Sequence, residues 1–252
     1  MQNGRSQIDS ITVHVLLIAF VATLVRSAFG FGEALIAVPL LAFWIPLPEA
    51  VPLALLFSVT VASVVIVHDW KKIHFASATW LVLASLPGLP VGLLLLTEGH
   101  PALVKAVLGA LIVAFSLWSL AARRAPAIRA DSRRLLVACG FCAGILGGAY
   151  AMNGPPLILY GALRRWPAQQ FRATLQAYFL PAGLLVSVGY WVSGLWVPEV
   201  FRLYLISLPA LIPAMVLGTM INRRLRGDSF LKIVYVGLVI IGTVLIVQGA
   251  HG

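Results

Sequence analysis

Charge is what this chain has least of. Only 10% of its 252 residues are charged, while 61% are apolar and the mean hydropathy is +0.99. An ordinary soluble domain carries roughly 25% charged residues, and a fold of this length could not hide so much apolar surface from water. A water-soluble protein is excluded. Acids are scarcer than bases, 8 Asp+Glu against 18 Lys+Arg, for a net charge of +10. In a soluble protein that excess would suggest nucleic acid. In a membrane protein it first reports sidedness, so no nucleic-acid partner is needed. Two cysteines exclude a disulfide scaffold. Cys139 and Cys142 have CxxC spacing, but they lie in an apolar run without a βαβ context and read as packing residues. The chain has no Walker loop, no GxSxG and no Cys/His metal quartet. Those gaps argue against an enzyme, a metal or other cofactor, and ATP-driven transport by this chain alone.

Long apolar runs are what it has. Six, at 50–67, 75–96, 102–122, 168–193, 200–221 and 229–248, approach or exceed the 20 or so residues that cross a bilayer core of about 30 Å. Four shorter runs, at 11–25, 34–47, 135–151 and 155–163, come as two pairs, each flanking a Gly-rich break. They read as broken helices or re-entrant hairpins. Run 11–25 has only Arg5 as a basic flank and no convincing small-residue cleavage site after it, so it reads as part of the bundle rather than a secretory signal.

The bases sort by connection. Lys71–Lys72, the group Arg123, Arg124, Arg129, Arg133 and Arg134, the pair Arg164–Arg165, and Arg223, Arg224 and Arg226 hold 12 of the 18. Connections 46–49, 97–101 and 194–199 hold no base but carry Glu49, Glu98 and Glu199. Placing the four basic clusters in the cytoplasm makes each intervening run cross once and puts both termini outside. The two halves then run in opposite senses. The expected organisation is a first transmembrane repeat over 1–122, an Arg-rich linker over 123–134 and a second, inverted repeat over 135–252. Internal matches agree: Gly30 to Pro39 recurs as Gly147 to Pro156, Pro48 as Pro167, Ser85-Leu86-Pro87 as Ser207-Leu208-Pro209, and Lys105 as Lys232. The fold class is an all-α polytopic membrane protein built from two inverted repeats of about five helical segments.

Inverted repeats with helices broken at membrane depth suit a transporter, because half-helix N-termini direct free N–H groups into a shared cavity. Candidate substrate contacts at the first break are Arg26, Ser27, Gly30, Phe31 and Gly32. At the second they are Gly147, Gly148, Asn153, Gly154 and Pro155, where a proline suits the first turn of the following helix. Backbone donors there favour an anion. The alternative for the glycines is close helix packing, as expected for Gly140/Gly144, Gly144/Gly148 and Gly88/Gly92. Arg26 and Glu33 flank the first break. Either Arg26 neutralises a substrate anion and Glu33 carries a coupling proton, or the two form a structural pair that holds the break shut. Arg172 and Gln176 share a helix face four residues apart, and Arg172 either meets substrate or snorkels to the cytoplasmic surface. Lys105, Arg202 and Lys232 lie near helix ends and read as snorkelling. His68, Asp69 and His74 read as interfacial, and His14 as hydrogen-bonded within the bundle. Trp44, Trp70, Trp80, Trp166, Trp191 and Trp196 read as an aromatic belt.

Ser27-Ala28-Phe29-Gly30-Phe31-Gly32 running to Val38-Pro39-Leu40-Leu41 resembles the first signature of the TauE/SafE family of sulfite and organosulfur exporters. Gly144 to Pro156, followed by Phe171-Arg172-Ala173-Thr174, resembles its second-half counterpart. The likeness spans nearly the whole chain. Glu33 departs from the small residues commoner in the family's Gly-rich stretch. The resemblance implies secondary transport of a small sulfur-containing anion, sulfite or a short organosulfonate, across a bacterial cytoplasmic membrane. The residues themselves point to proton-coupled anion transport between the two breaks, with a passive anion channel on the same scaffold as the alternative.

Overall fold

A computed structural model describes residues 2–69, 75–121, 133–164, 168–224 and 228–251. Side chains of the first ten residues and around 65–77, 165–173 and 222–231 are outside that description, Arg172 among them. The described residues form helices only: α1 (Gln2–Phe29), α2 (Glu33–Leu41), α3 (Leu47–Asp69), α4 (Phe75–Ser85), α5 (Gly88–Glu98), α6 (Pro101–Ala121), α7 (Arg133–Tyr150), α8 (Gly154–Leu163), α9 (Ala168–Val192), α10 (Pro198–Arg224) and α11 (Asp228–His251). Apolar runs fold this way because every backbone polar group then finds a partner within its own segment, as a bilayer demands. Among the described residues five helices are long and apolar enough to cross, or six if α4 and α5, bent by 47° at their junction, count as one span. The chain is a multi-pass membrane protein.

Two expected segments differ. Run 11–25 does not stop short: α1 continues to Phe29, and Ile11–Phe29 has the length of a full span. Hydropathy falls at Arg26 and Ser27, but the helix carries on because Arg26 finds buried partners. Run 75–96 is not one straight helix. Pro87-Gly88 breaks it, whereas α10 keeps Pro209 and Pro213 inside a continuous helix.

Several helix contacts are alike in the two halves. α1 lies on α10 as α7 lies on α4 and α5; α1 meets α2 as α7 meets α8; α3 pairs with α9 and α6 with α11. The α5–α7 seam is made of the small residues singled out above. A methyl group on Gly144 would run into the Ser85 carbonyl, and one on Gly148 into that of Leu89. Gly88 and Gly92 approach α7 as closely from the other side. Backbones at such distance gain van der Waals contact that lipid cannot supply.

The two breaks are alike in backbone. Glu33 and Gly154, which open α2 and α8, are 121 positions apart, as are Leu47 and Ala168, which open α3 and α9. Gly30 and Ala151 both hold the left-handed conformation, with φ of 86° and 52°. The amide of Gly30 donates to the Arg26 carbonyl and that of Ala151 to the Gly147 carbonyl. Gly147 thus precedes the left-handed residue of the second break by four positions, as Arg26 precedes that of the first.

Candidate functional site

The first break is residues 30–32, where Gly30 and Gly32 take φ of 86° and 97°, conformations a side chain would strain. Gly32 then opens α2 without a side-chain cap. The first-turn N–H groups of α2 have no intrahelical partner.

Behind this helix start lies a buried charge cluster. Arg26 and Glu33 form an ion pair, Nη1 to Oε2 at 3.2 Å, with side chains 4% and 0% exposed. Arg26 Nη1 also donates to Ser58 Oγ at 2.6 Å, and Nη2 to Gln176 Oε1 at 3.0 Å. Gln176 Nε2 donates to the Gly30 carbonyl at 2.8 Å, fixing the end of α1. Thr23 Oγ donates to Glu33 Oε1 at 2.9 Å. The guanidinium stacks over the Phe179 ring, 5.0 Å from its centre. Two polar atoms stay without a hydrogen bond, Arg26 Nε and Glu33 Oε2.

The second break, residues 151–153, is built from neutral groups. The Asn153 amide folds back over Gly147, filling the space a side chain there would take, and donates to Tyr178 Oη at 3.3 Å. Tyr190 Oη donates to the carbonyls of Gly148 and Gly147 at 3.0 and 3.3 Å, satisfying the end of α7. One helix, α9, therefore serves both breaks, the first through Gln176 and the second through Tyr178 and Tyr190. Pro155 and Pro156 are the second and third residues of α8, and proline has no N–H to present, so the first turn of α8 offers the Gly154 amide where α2 offers three.

Both breaks line one small cavity. Its polar side is Arg26, Glu33, Ser58, Asn153 and the start of α2; its apolar side includes Phe31, Leu35, Met152, Ile158 and Phe179. It leaves about 20 Å³ for the centre of a water molecule, room for one water. Of the predicted contacts, Arg26, Phe31, Gly32, Glu33, Asn153, Gly154 and Pro155 meet at this cavity. Gln176 and Gly30 stand one bond behind it, and Ser27 is buried in α1. Gly147 is covered by Asn153, and Gly148 faces α5. Arg172's side chain lies outside the described residues. Thr23, Ser58 and Phe179 were not foreseen. Thr23 is three residues before Arg26 and Phe179 three after Gln176, so helical spacing could have found both. Ser58 had no such signal.

Away from the cavity, His14 stacks on Trp44 with ring centres 3.7 Å apart. Arg202 pairs at the surface with Glu199 at 2.9 Å. Arg133 lies over the exposed ring of Trp80 at 5.0 Å. Trp70, Trp166 and His74 lie outside the described residues. Among the described residues no group of three or more His, Cys, Asp or Glu could hold a metal ion.

No curated protein and no solved structure matches this chain. A family model described as "Sulfite exporter TauE/SafE" matches residues 15–245. That span is nearly the whole chain and includes both breaks and every helix that lines the cavity, so the chain belongs to the TauE/SafE family of membrane transporters.

Proposed function

We propose that this protein is a secondary transporter of a small anion, sulfite or a short organosulfonate, coupled to the proton gradient. The transported anion sits between Arg26 and the uncapped start of α2. One observation carries this reading: Arg26 is a buried cation lining a cavity, with its Nε unpartnered, next to a helix N-terminus that no side chain caps. A guanidinium offers a planar fork that fits two oxygens of an oxyanion, and the α2 amides add donors at the positive end of a helix dipole. Ser58 and Gln176, both neutral acceptors, hold the fork in place. Phe31, Met152, Ile158 and Phe179 are suited to a short apolar substituent. Glu33 is the group on which a coupling proton rides. The two halves act as inverted repeats, 1–122 and 135–252, with the basic linker 123–134 in the cytoplasm of a bacterial cell and both termini outside.

The test is flux of labelled sulfite in proteoliposomes. Removing Arg26 alone would strand Glu33 as a buried charge, at a cost of about 3–5 kcal/mol in stability. The informative variant is therefore the neutral pair Arg26→Gln/Glu33→Gln, which leaves no unpaired charge. It should stay folded and lose flux by about 100-fold or more, the size expected when a charge-assisted site is removed. Undiminished flux in that variant overturns the site. Flux in the wild type that no proton gradient can drive uphill would make the protein a channel.

A further inference from the structure

We infer that Glu33 occupies Arg26 in place of the transported anion: anion and Glu33 carboxylate hold the guanidinium alternately, and one proton joins Glu33 for each anion bound. The inference rests on the function proposed above.

Four observations carry it. The first is the quality of the ion pair. A buried pair repays its desolvation only when its geometry is good and its remaining polar atoms are satisfied. Here Glu33 Oε2 accepts no hydrogen bond and Arg26 Nε gives none. A pair built only to lock α1 against α2 would be bidentate and saturated. This one is held on one side only.

The second is what holds Arg26 when Glu33 leaves. Ser58 Oγ at 2.6 Å and Gln176 Oε1 at 3.0 Å accept from the two Nη atoms. Neither is charged, so the fork keeps its orientation and gains no rival for an incoming anion.

The third is space. With the carboxylate in place the cavity has room for one water, and sulfite or a sulfonate is several times larger. Its entry requires a lining side chain to move, and withdrawal of Glu33 frees space next to Arg26.

The fourth is charge. Among the described residues, Arg26 and Glu33 are the only charged groups lining the cavity. The elements packed on α2 add Thr23 from α1 and Ser58 from α3, both neutral, and the start of α8 adds Asn153 and Gly154. An anion on Arg26 beside an ionised Glu33 would leave two negative charges against one positive in a buried site, and protonation relieves that. The step balances: the carboxylate leaves Arg26, takes one proton from water on the open side, and the anion takes its place, so the site stays neutral. Thr23 suits both forms, because a hydroxyl donates to the carboxylate and accepts from the carboxylic acid.

The experiment uses the purified full-length protein and methanesulfonate, which stays ionised throughout the working pH range. In weakly buffered solution the wild type should take up about one proton per methanesulfonate bound. Over the upper pH range its affinity should fall about tenfold per pH unit. Glu33→Gln should bind with an affinity independent of pH and take up no proton. It should also gain more thermal stability from methanesulfonate than the wild type, since the anion then supplies the missing counter-charge. Its proteoliposomes should exchange anion for anion but not accumulate it under a proton gradient. Binding by the wild type without proton uptake overturns the inference and leaves the proposed function standing. A Glu33→Gln variant that keeps the wild-type pH dependence also overturns it. If Glu33→Gln cannot be recovered folded, the proton count on the wild type decides alone. If the wild type binds no sulfonate or sulfite at any pH, the proposed function fails and takes this inference with it.

Discussion

The two breaks are built on the same plan with opposite chemistry. At the first, the helix before the break carries Arg26, and Gly32 leaves the next helix uncapped. At the second, Gly147 stands four residues before the left-handed Ala151, as Arg26 does before Gly30, and the next helix is preceded by Asn153, whose side chain lies back over that glycine. Large and small have changed places, and charge is found at the first break alone. The supporting seams differ as well. α7 is fitted to its neighbours by Gly140, Gly144 and Gly148, with Gly88 and Gly92 facing them, whereas close glycine contact between α1 and α10 is made at Gly218. One break carries charged side chains and the other is fixed in position by neutral ones.

Substitutions can break or sharpen that contrast. The largest effect is expected of Gly144→Leu, which would push a side chain into the Ser85 carbonyl. Backbone cannot yield as a flexible side chain can, so a loss of about 3 kcal/mol or more is expected, read as a collapsed melting transition and loss of the monodisperse peak in detergent. Next comes Arg26→Gln/Glu33→Gln, with flux down about 100-fold but the fold kept. Glu33→Gln should abolish uphill accumulation while sparing anion exchange. Asn153→Ala removes a neutral amide from the cavity wall and should lower flux about tenfold at most, the worth of one uncharged hydrogen bond. A loss as large as that of the Arg26 pair would erase the distinction between the breaks. The smallest effect is Tyr190→Phe, which frees the Gly147 and Gly148 carbonyls and should cost about 1 kcal/mol of stability with flux little changed, measured by thermal melting and sulfite uptake side by side.

Much of this was readable in the sequence, for physical reasons that also mark where reading stopped. Hydropathy located the spans because the bilayer imposes length and composition on each. The basic clusters and the two Gly-rich strings stood out for the same reason, as did Arg26 and Glu33, since ionisable groups at membrane depth are rare. The ends of helices were less legible. Arg26 lowers hydropathy, so α1 looked shorter than it is, although its buried partners let the helix run on. The Gly-rich strings did not show where each break begins, because that depends on where the backbone ladder stops, at Gly30 and at Ala151. Partners far apart in sequence, such as Ser58 and Gln176 on Arg26, follow from how α3 and α9 pack and have no local pattern. The prolines of α8 were visible and were placed in its first turn, where they stand; the N–H groups they withhold from that turn were not counted.

That last detail reaches further than the helix it starts. Pro155 and Pro156 leave the start of α8 with fewer donors than the start of α2, and Gly147 supplies no cation beside it. Under the proposed function the anion has a single seat, against α2. Saturation with a sulfonate should then follow a simple hyperbola ending at one anion per chain.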